Sequence, residues 1–360
     1  MHIRRPLVGA TLLERYRVLR PLGQGGMGAV YEAADVKTGA VVAIKVLARP
    51  KSNNAAREYR RFIREAQTAA RLAHSHAVQV FAVGELDSGE PFFVMERLLG
   101  ETLRARLDRV RQIKFGNVVT IFNQLLAVLE SVHAQGIIHR DVKPENIFLT
   151  ERPGEAPMAK LIDFGVAKLW QGKEESDDHG GQTSLTATGV VVGTVAYLSP
   201  EQISNPRELD PLIDLWACGV TLYESLTGRR PFQGETPMAI MLDVLHRSPA
   251  AARRIRPSIP GALEVVVMTS LRRRPEHRYP SAAHFRAALM TAGASLIERR
   301  PPSSPDTQPE IATYSRRSSP PSASTSENCR VVHTLPADVA ELLTQDTLDD
   351  DDDGGPTRPF

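Results

Sequence analysis

Two cysteines in 360 residues, Cys218 and Cys329, are too few and too far apart for a disulfide framework, and neither has the CxxC or Cys/His spacing of a zinc site. A reducing, cytoplasmic setting is therefore expected. Long apolar runs are lacking as well: no window approaches the roughly 18 uncharged apolar residues that a membrane span needs. The apolar stretch behind Arg4 and Arg5 is cut short by Glu14 and Arg15, too soon for a signal peptide. No membrane association is expected. Net charge is small, at +2, but unevenly spread. From Pro301 onward there are 4 Arg or Lys against 11 Asp or Glu, so a basic body carries an acidic tail. No nucleic-acid partner is expected.

What remains is ordinary globular text, 42% hydrophobic and 24% charged, long enough for one large or two smaller domains. Residues 16–50 read as strands: "YRVLRPL" and "AVYEAAD" flank a run of glycines, and "TGAVVAIKVLA" alternates behind a Thr-Gly turn. From Ala55 to His74 the pattern is helical, with Phe62, Ala66, Ala69 and Ala73 on one stripe. Glu65 falls on or beside that stripe and needs a cationic partner. "HAVQVFAVGEL" and "EPFFVMERLL" look like a further strand pair. "NVVTIFNQLLAVLESVHAQG" is a long amphipathic helix closed by Gly136, and "DLWACGVTLYESLTG" is apolar nearly all round, a buried helix stopped by Gly228. After about Arg299 a Pro/Ser-rich run without periodicity cannot bury enough apolar surface to offset its ordering, and it is expected to stay disordered. No internal repeat is present.

The glycine run, "PLGQGGMGAVYEA" from Pro21 to Ala33, is costly to order and needs a reason. A phosphate loop of the GxxxxGK[ST] type is excluded because no Lys-Ser or Lys-Thr follows. A dinucleotide fold would continue as a helix, yet Val30 and Tyr31 signal a strand. A structural turn and a backbone cradle for phosphate both remain open on these residues alone. "VAIK", Val42 to Lys45, shifts the balance: a lysine in an otherwise apolar strand must find anions, and phosphate oxygens together with Glu65 would supply them. A lysine snorkelling at a strand edge is the plain alternative.

"IIHRDVKPENIFL", Ile137 to Leu149, followed by "KLIDFGVAK", Lys160 to Lys168, is where the chain resembles the protein kinases. "GTVAYLSPEQ", Gly193 to Gln202, resembles the kinase APE segment with Ser199 in place of Ala. With "GQGGMGAVY" it is similar to the eukaryotic-like serine/threonine kinases of bacteria. The resemblance runs from about Tyr16 to about Leu289.

It implies an α+β, two-lobed kinase fold: an N-terminal extension over 1–15, a β-rich N-lobe over about 16–98, a mainly helical C-lobe over about 99–289, and a tail over 290–360. It implies that Asp141 is the catalytic base, that Lys143 neutralises charge on the transferred phosphoryl group and marks Ser/Thr acceptors, and that Asn146 and Asp163 hold Mg²⁺ or Mn²⁺. Lys45, held by Glu65, would grip the phosphates of ATP. Leu22, Gly23, Gln24, Gly25, Gly26, Met27, Gly28, Ala29, Val30, Ala43 and Glu96 would surround the nucleotide. Phe148 takes the usual aliphatic site beneath adenine. A second departure is "HSHAV" at 74–78, where a His-Pro pattern is commoner. Thr194 would contact the base and lysine, Glu201 would pair with Arg278, and Asp214 would tie the catalytic loop from the buried helix. A kinase-shaped scaffold or nucleotide sensor is the alternative function, opposed by the intact Lys45, Asp141, Asn146 and Asp163.

The segment between Gly165 and Ser199 is too long and polar for a mere connection. Thr186 and Thr188 match paired threonines of similar kinases and are expected to be autophosphorylated, with Arg140 gathering the modified loop. Self-association for this step is a further expectation. "REYRRFIRE", Arg57 to Glu65, reads as a solvated basic face or a docking face for that loop or an acidic substrate. In the tail, Ser318 and Ser319 are candidate acceptors. Thr347, with an acid three residues on, resembles a phosphothreonine site for a forkhead-associated partner, against the plainer reading of a solvating tail.

Overall fold

Most strands come first along the chain and most helices after, and the reason is visible residue by residue in the computed structural model, which describes residues 7–25, 28–47, 74–150, 157–163, 195–205, 210–297 and 330–334. β1 (Thr11–Leu12), β2 (Tyr16–Gly25), β3 (Gly28–Asp35), β4 (Val41–Leu47), β5 (Val80–Glu85) and β6 (Pro91–Glu96) form one antiparallel sheet in the order β1-β2-β3-β4-β6-β5. Strict alternation of buried and half-buried positions along β3 follows from its Ala/Tyr/Ala/Asp and Val/Glu/Ala faces. Tyr16, Val18, Ile44, Val46, Phe92 and Val94 build the core behind the sheet.

The β3–β4 hairpin turns at Thr38 and Gly39, where Gly39 has φ +76° and Asp35 accepts the Lys37 backbone N–H at 3.0 Å. Asp35 also takes two hydrogen bonds from Arg15, at 3.0 and 2.8 Å. Burial works to raise its pKa, but Arg15, the Lys37 N–H and Thr38 outweigh it and hold the carboxyl down to about 2.

The chain then passes through β7 (Glu101–Thr102) into α1 (Leu103–Val110), capped by the Thr102 hydroxyl on the Ala105 N–H, and α2 (Phe115–Ala134). α2 is long and apolar enough, by length and composition, to cross a membrane, closer to a spanning segment than the sequence reading allowed. Half of its apolar window is buried within the protein, the profile of a core helix. A 3₁₀ turn at Pro144–Asn146 leads to β8 (Ile147–Thr150) and β9 (Met158–Leu161), which form a small sheet in the order β7-β8-β9.

α3 (Pro200–Ser204) begins at Ser199, whose hydroxyl accepts the Gln202 N–H while Gln202 Oε1 accepts the Ser199 N–H. This reciprocal cap is what the departure from alanine contributes at position 199. α4 (Leu212–Thr227) is buried at nearly every residue, as its all-round apolarity requires, and ends at Gly228 with φ +75°. Around it stand α5 (Pro237–His246), α6 (Ala252–Ile255), α7 (Gly261–Ser270) and α8 (Ala282–Gly293). Gly219 lets α7 approach α4: a Cβ there would meet Ser270 Oγ at 2.3 Å. The second core is centred on Phe122, Leu125, Leu129, Trp216, Leu222 and Phe285 of this helical part, and Ala77 together with Ile147, Leu149, Ala159 and Leu161 of β8 and β9 packs into it.

One described element lies in the tail. β10 (Arg330–Thr334) pairs antiparallel with β5, from Arg330 opposite Glu85 to Thr334 opposite Ala82, with a bulge between Val331 and His333. The sequence predicts no strand there. The expected helix over 55–74 lies outside the described residues up to position 73.

A carboxylate with a depressed native pKa contributes stability that is present above its unfolded value, about 4, and lost as pH falls through its folded value. Asp35→Asn is therefore expected to lower the urea-unfolding free energy at pH 7 by about 1 kcal/mol. The difference from the parent should shrink as pH falls from about 4 toward about 2.

Candidate active site

The loop that carries Asp141 is hung from a buried carboxylate. Asp214, in the first turn of α4, accepts the His139 N–H on Oδ2 and the Arg140 N–H on Oδ1, each at 2.8 Å, and its Oδ2 also meets His133 Nε2 at 2.9 Å. Arg140 is thereby fixed at φ +65°, a conformation that a non-glycine residue adopts only when its surroundings impose it. His139 is buried and neutral: its Nδ1 accepts the Asp141 N–H at 3.2 Å, which leaves Nε2 to donate to the Ile162 carbonyl at 3.3 Å. Burial pushes its pKa down. Through that second bond the loop is tied to the strand end that carries Asp163.

Asp141 points into a group of charge-assisted bonds. Lys143 Nζ lies 2.8 Å from its Oδ2, and Asn146 Nδ2 donates to the same Oδ2 at 2.8 Å and to the Asp141 carbonyl at 2.8 Å. All three side chains are nearly buried. Asn146, at the end of the 3₁₀ turn, also accepts the Ile162 N–H on its carbonyl at 2.9 Å, placing Asp163 next to it in the fold. Asp163 sits at φ +58°, and its Oδ2 is 2.5 Å from Lys45 Nζ. A lysine of the strand lobe and an aspartate of the helical lobe thus meet across the gap between them.

The strand register defines the roof above that gap. Val30 faces Lys45 and Glu32 faces Ala43 across β3 and β4, while Met95 lies opposite Ala43 on β6. Val30, Ala43, Lys45 and Met95 therefore share one face. Gly28, at φ +142°, closes the β2–β3 hairpin where a Cβ would strike the Val46 carbonyl oxygen at 2.0 Å, so no other residue fits. Around Gly23 and Gly25 a Cβ would meet nothing within 4 Å, leaving bare backbone beside the gap. Leu22, Gln24, Ala29 and Val30 lie in the same two strands. Phe148 is half-buried on β8, paired with Thr102 and Lys160.

Glu96 ends β6, and its carboxylate is engaged by Lys160 Nζ at 2.6 Å and by the Gln79 N–H at 2.9 Å. Its own backbone N–H donates to the Gln79 carbonyl at 3.0 Å. The next residue, Arg97, pairs with Glu32 at 3.2 Å and donates to the Leu98 carbonyl, and Glu32 pairs in turn with Arg20 at 2.9 Å. At the second departure, the His76 ring is 3.0 Å from the Ala159 carbonyl, and the His76 and Val78 backbones bond to Leu161 on β9. Farther down, Arg278 grips Glu201 with two bonds, at 2.7 and 2.8 Å. Burial works to raise the Glu201 pKa, yet Arg278 holds it below the usual carboxylate range.

Lys45, Asp141, Lys143, Asn146 and Asp163 are therefore brought together. Gly26, Met27, Glu65, Thr186, Thr188 and Thr194 lie outside the described residues. Met95, the Arg20–Glu32–Arg97 chain and the Glu96–Lys160 pair went unnoticed in the sequence. Only the "FVME" ending of an apolar strand hints at the first, and nothing local signals the pairings, whose partners lie 12 to 65 positions apart.

A family model described as protein kinase domain matches residues 16–287. The serine/threonine-protein kinase Pkn1 of Myxococcus xanthus is 39% identical over 292 residues, covering 81% of this chain and 40% of that protein. PrkC of Bacillus subtilis is 35% identical over 287 residues, 79% of this chain and 42% of its own length. The chain spans less than half of these two relatives. The kinase domain of Mycobacterium tuberculosis PknI superposes with a TM-score of 0.60 at 26% identity, covering 80% of this chain and all of that one.

Asp214→Asn keeps one acceptor but turns an amide N–H₂ toward backbone donors. Unfolding free energy should fall by about 2–3 kcal/mol, and hydrogen exchange at His139 or Arg140 should quicken at least about tenfold, the equivalent of 1.4 kcal/mol. Unchanged exchange at both amides would show that Asp214 does not hold the loop.

Proposed function

We propose that this chain, a member of the protein kinase domain family, transfers the γ-phosphoryl group of ATP to serine or threonine hydroxyls of proteins. The observation that carries the reading is the Asp141 carboxylate locked by Lys143 and Asn146 beneath the Lys45–Asp163 pair.

Phosphoryl transfer is mostly a matter of positioning and charge stabilisation. A hydroxyl must lose its proton as its oxygen bonds to phosphorus, and Asp141 is the carboxylate held to accept it. Lys143, already beside that carboxylate, balances negative charge gathering on the transferred group. Lys45 is anchored in the strand lobe and aimed at the gap, where phosphate oxygens would share it with Asp163. The bare backbone at Gly23 and Gly25 is suited to covering phosphates.

The kinase family uses a divalent metal, and the residues present fit one. Both Asn146 N–H groups are spent on Asp141, which leaves its amide oxygen as the ligand atom, and Asp163 adds a carboxylate. Among the described residues no group of three or more His, Cys, Asp or Glu could hold a metal by itself. That suits Mg²⁺ or Mn²⁺, hard ions held by one or two protein oxygens together with phosphates and water. When bound, the ion supplies neutralisation of the phosphate charge.

Activation by autophosphorylation at Thr186 and Thr188, self-association for that step, a forkhead-associated partner for Thr347 and residence in the cytoplasm belong to the same proposal. They are supported by the sequence pattern.

With Mg²⁺ and labelled ATP, Asp141→Asn is expected to lower phosphate transfer by about 10²–10⁴-fold while ATP still binds. Equal transfer by parent and variant would overturn the assignment. Mass spectrometry should place the parent's own phosphates on Thr186 or Thr188. Gly28→Ala, which forces the hairpin away from β4, should reduce kcat/KM for ATP by up to about 10²-fold.

A further inference from the structure

A cavity of about 500 Å³ opens on the helical lobe, away from the catalytic loop, between α4, α5, α7 and the turn after α7. Its floor is apolar, with Trp216, Phe232 and Leu271. Its rim carries the cations Arg247, Arg272, Arg273 and Arg274, with His277 beside them. Arg247 has a carboxylate close by, Asp243 at 3.2 Å. No carboxylate of the described residues pairs with the guanidiniums of Arg272, Arg273 or Arg274.

These arginines stand on a rigid platform. The carbonyls of Arg272 and Arg273 accept hydrogen bonds from the buried Arg278, at 2.7 and 2.9 Å, and Arg278 is itself locked to Glu201. The Trp216 ring, stacked on Phe232 and covered by Arg278, is only 1% exposed, and among the described residues its Nε1 has no hydrogen-bond acceptor. A buried indole N–H without an acceptor costs about 1–3 kcal/mol. Arginines on a fixed backbone above an apolar floor call for an acidic, partly apolar ligand.

The chain carries such a segment. From Asp338 to Asp353 there are eight carboxylates and no Lys or Arg, and Leu348 immediately precedes five consecutive aspartates. We propose that this acidic stretch of the chain's own tail docks in the cavity, with Asp349–Asp353 against Arg272–Arg274 and Leu348 over the apolar floor. β10 returns the tail to the protein at Thr334, and the fifteen residues from there to Asp349 span up to about 50 Å. The proposal does not depend on phosphoryl transfer.

Hydrogen exchange on the full-length chain tests it. D349N/D350N/D351N/D352N/D353N, which alters no described residue, should quicken exchange at least threefold over 244–249 and 271–277. R272Q/R273Q/R274Q should quicken exchange over 338–353 to the same degree, and combining both sets should add nothing more. Raising salt to 1 M should mimic the variants, and protection should be unchanged on hundredfold dilution. Exchange over 244–249 and 271–277 that ignores the aspartate substitutions overturns the site. Protection that vanishes on dilution overturns the intramolecular contact in favour of a second copy.

Discussion

One buried carboxylate sets the geometry on which everything else rests. Asp214 sits in the apolar core of the helical lobe, where an unpaired charge would be strongly unfavourable, and it is stabilised there by two backbone N–H groups and His133. Satisfying that charge fixes His139 and Arg140. The tautomer of His139 then reaches Ile162, so that Asp141, Asn146 and Asp163 stand at defined positions although they come from different segments. Any arrangement of the loop that withdrew these donors would leave a carboxylate unsatisfied in the core.

The two lobes have largely separate cores, with Ala77 of the strand lobe packed into the second, and are joined mainly by polar links. Lys45–Asp163, Glu96–Lys160 and the backbone bonds of His76 and Val78 to β9 run between them. Ionic and backbone contacts of this kind, at the border of a gap rather than in a shared core, allow one lobe to tilt against the other at modest cost. The proposed nucleotide would therefore sit between a roof and a floor that each have a core of their own.

Much of this was legible in the sequence, for physical reasons. Period-two alternation in "AVYEAAD" and all-round apolarity in "DLWACGVTLYESLTG" each admit only one local structure, and the residues from His139 to Asn146 sit within one loop, where spacing is geometry. The roof was less legible. Met95 earns its place only through the register of β6 on β4, and the Glu32–Arg97 and Glu96–Lys160 pairs join positions that no local pattern relates. β10 was invisible because "RVVHT" sits in a polar, proline-rich context, and only the presence of an open sheet edge makes it a strand. Ser199 looked like a simple exchange for alanine, and its meaning emerges only with the Gln202 side chain folded back upon it.

β10 has a colloidal consequence. A sheet ending at β5 would present a row of unsatisfied N–H and C=O groups, a template for adding the strand of any passing chain. The tail strand occupies that row, so a shortened protein ending near Ile297 would uncover it. Such a fragment would retain Lys45, Asp141 and Asp163 and yet offer an edge for assembly at high concentration. The five residues of β10 thus bear on solubility.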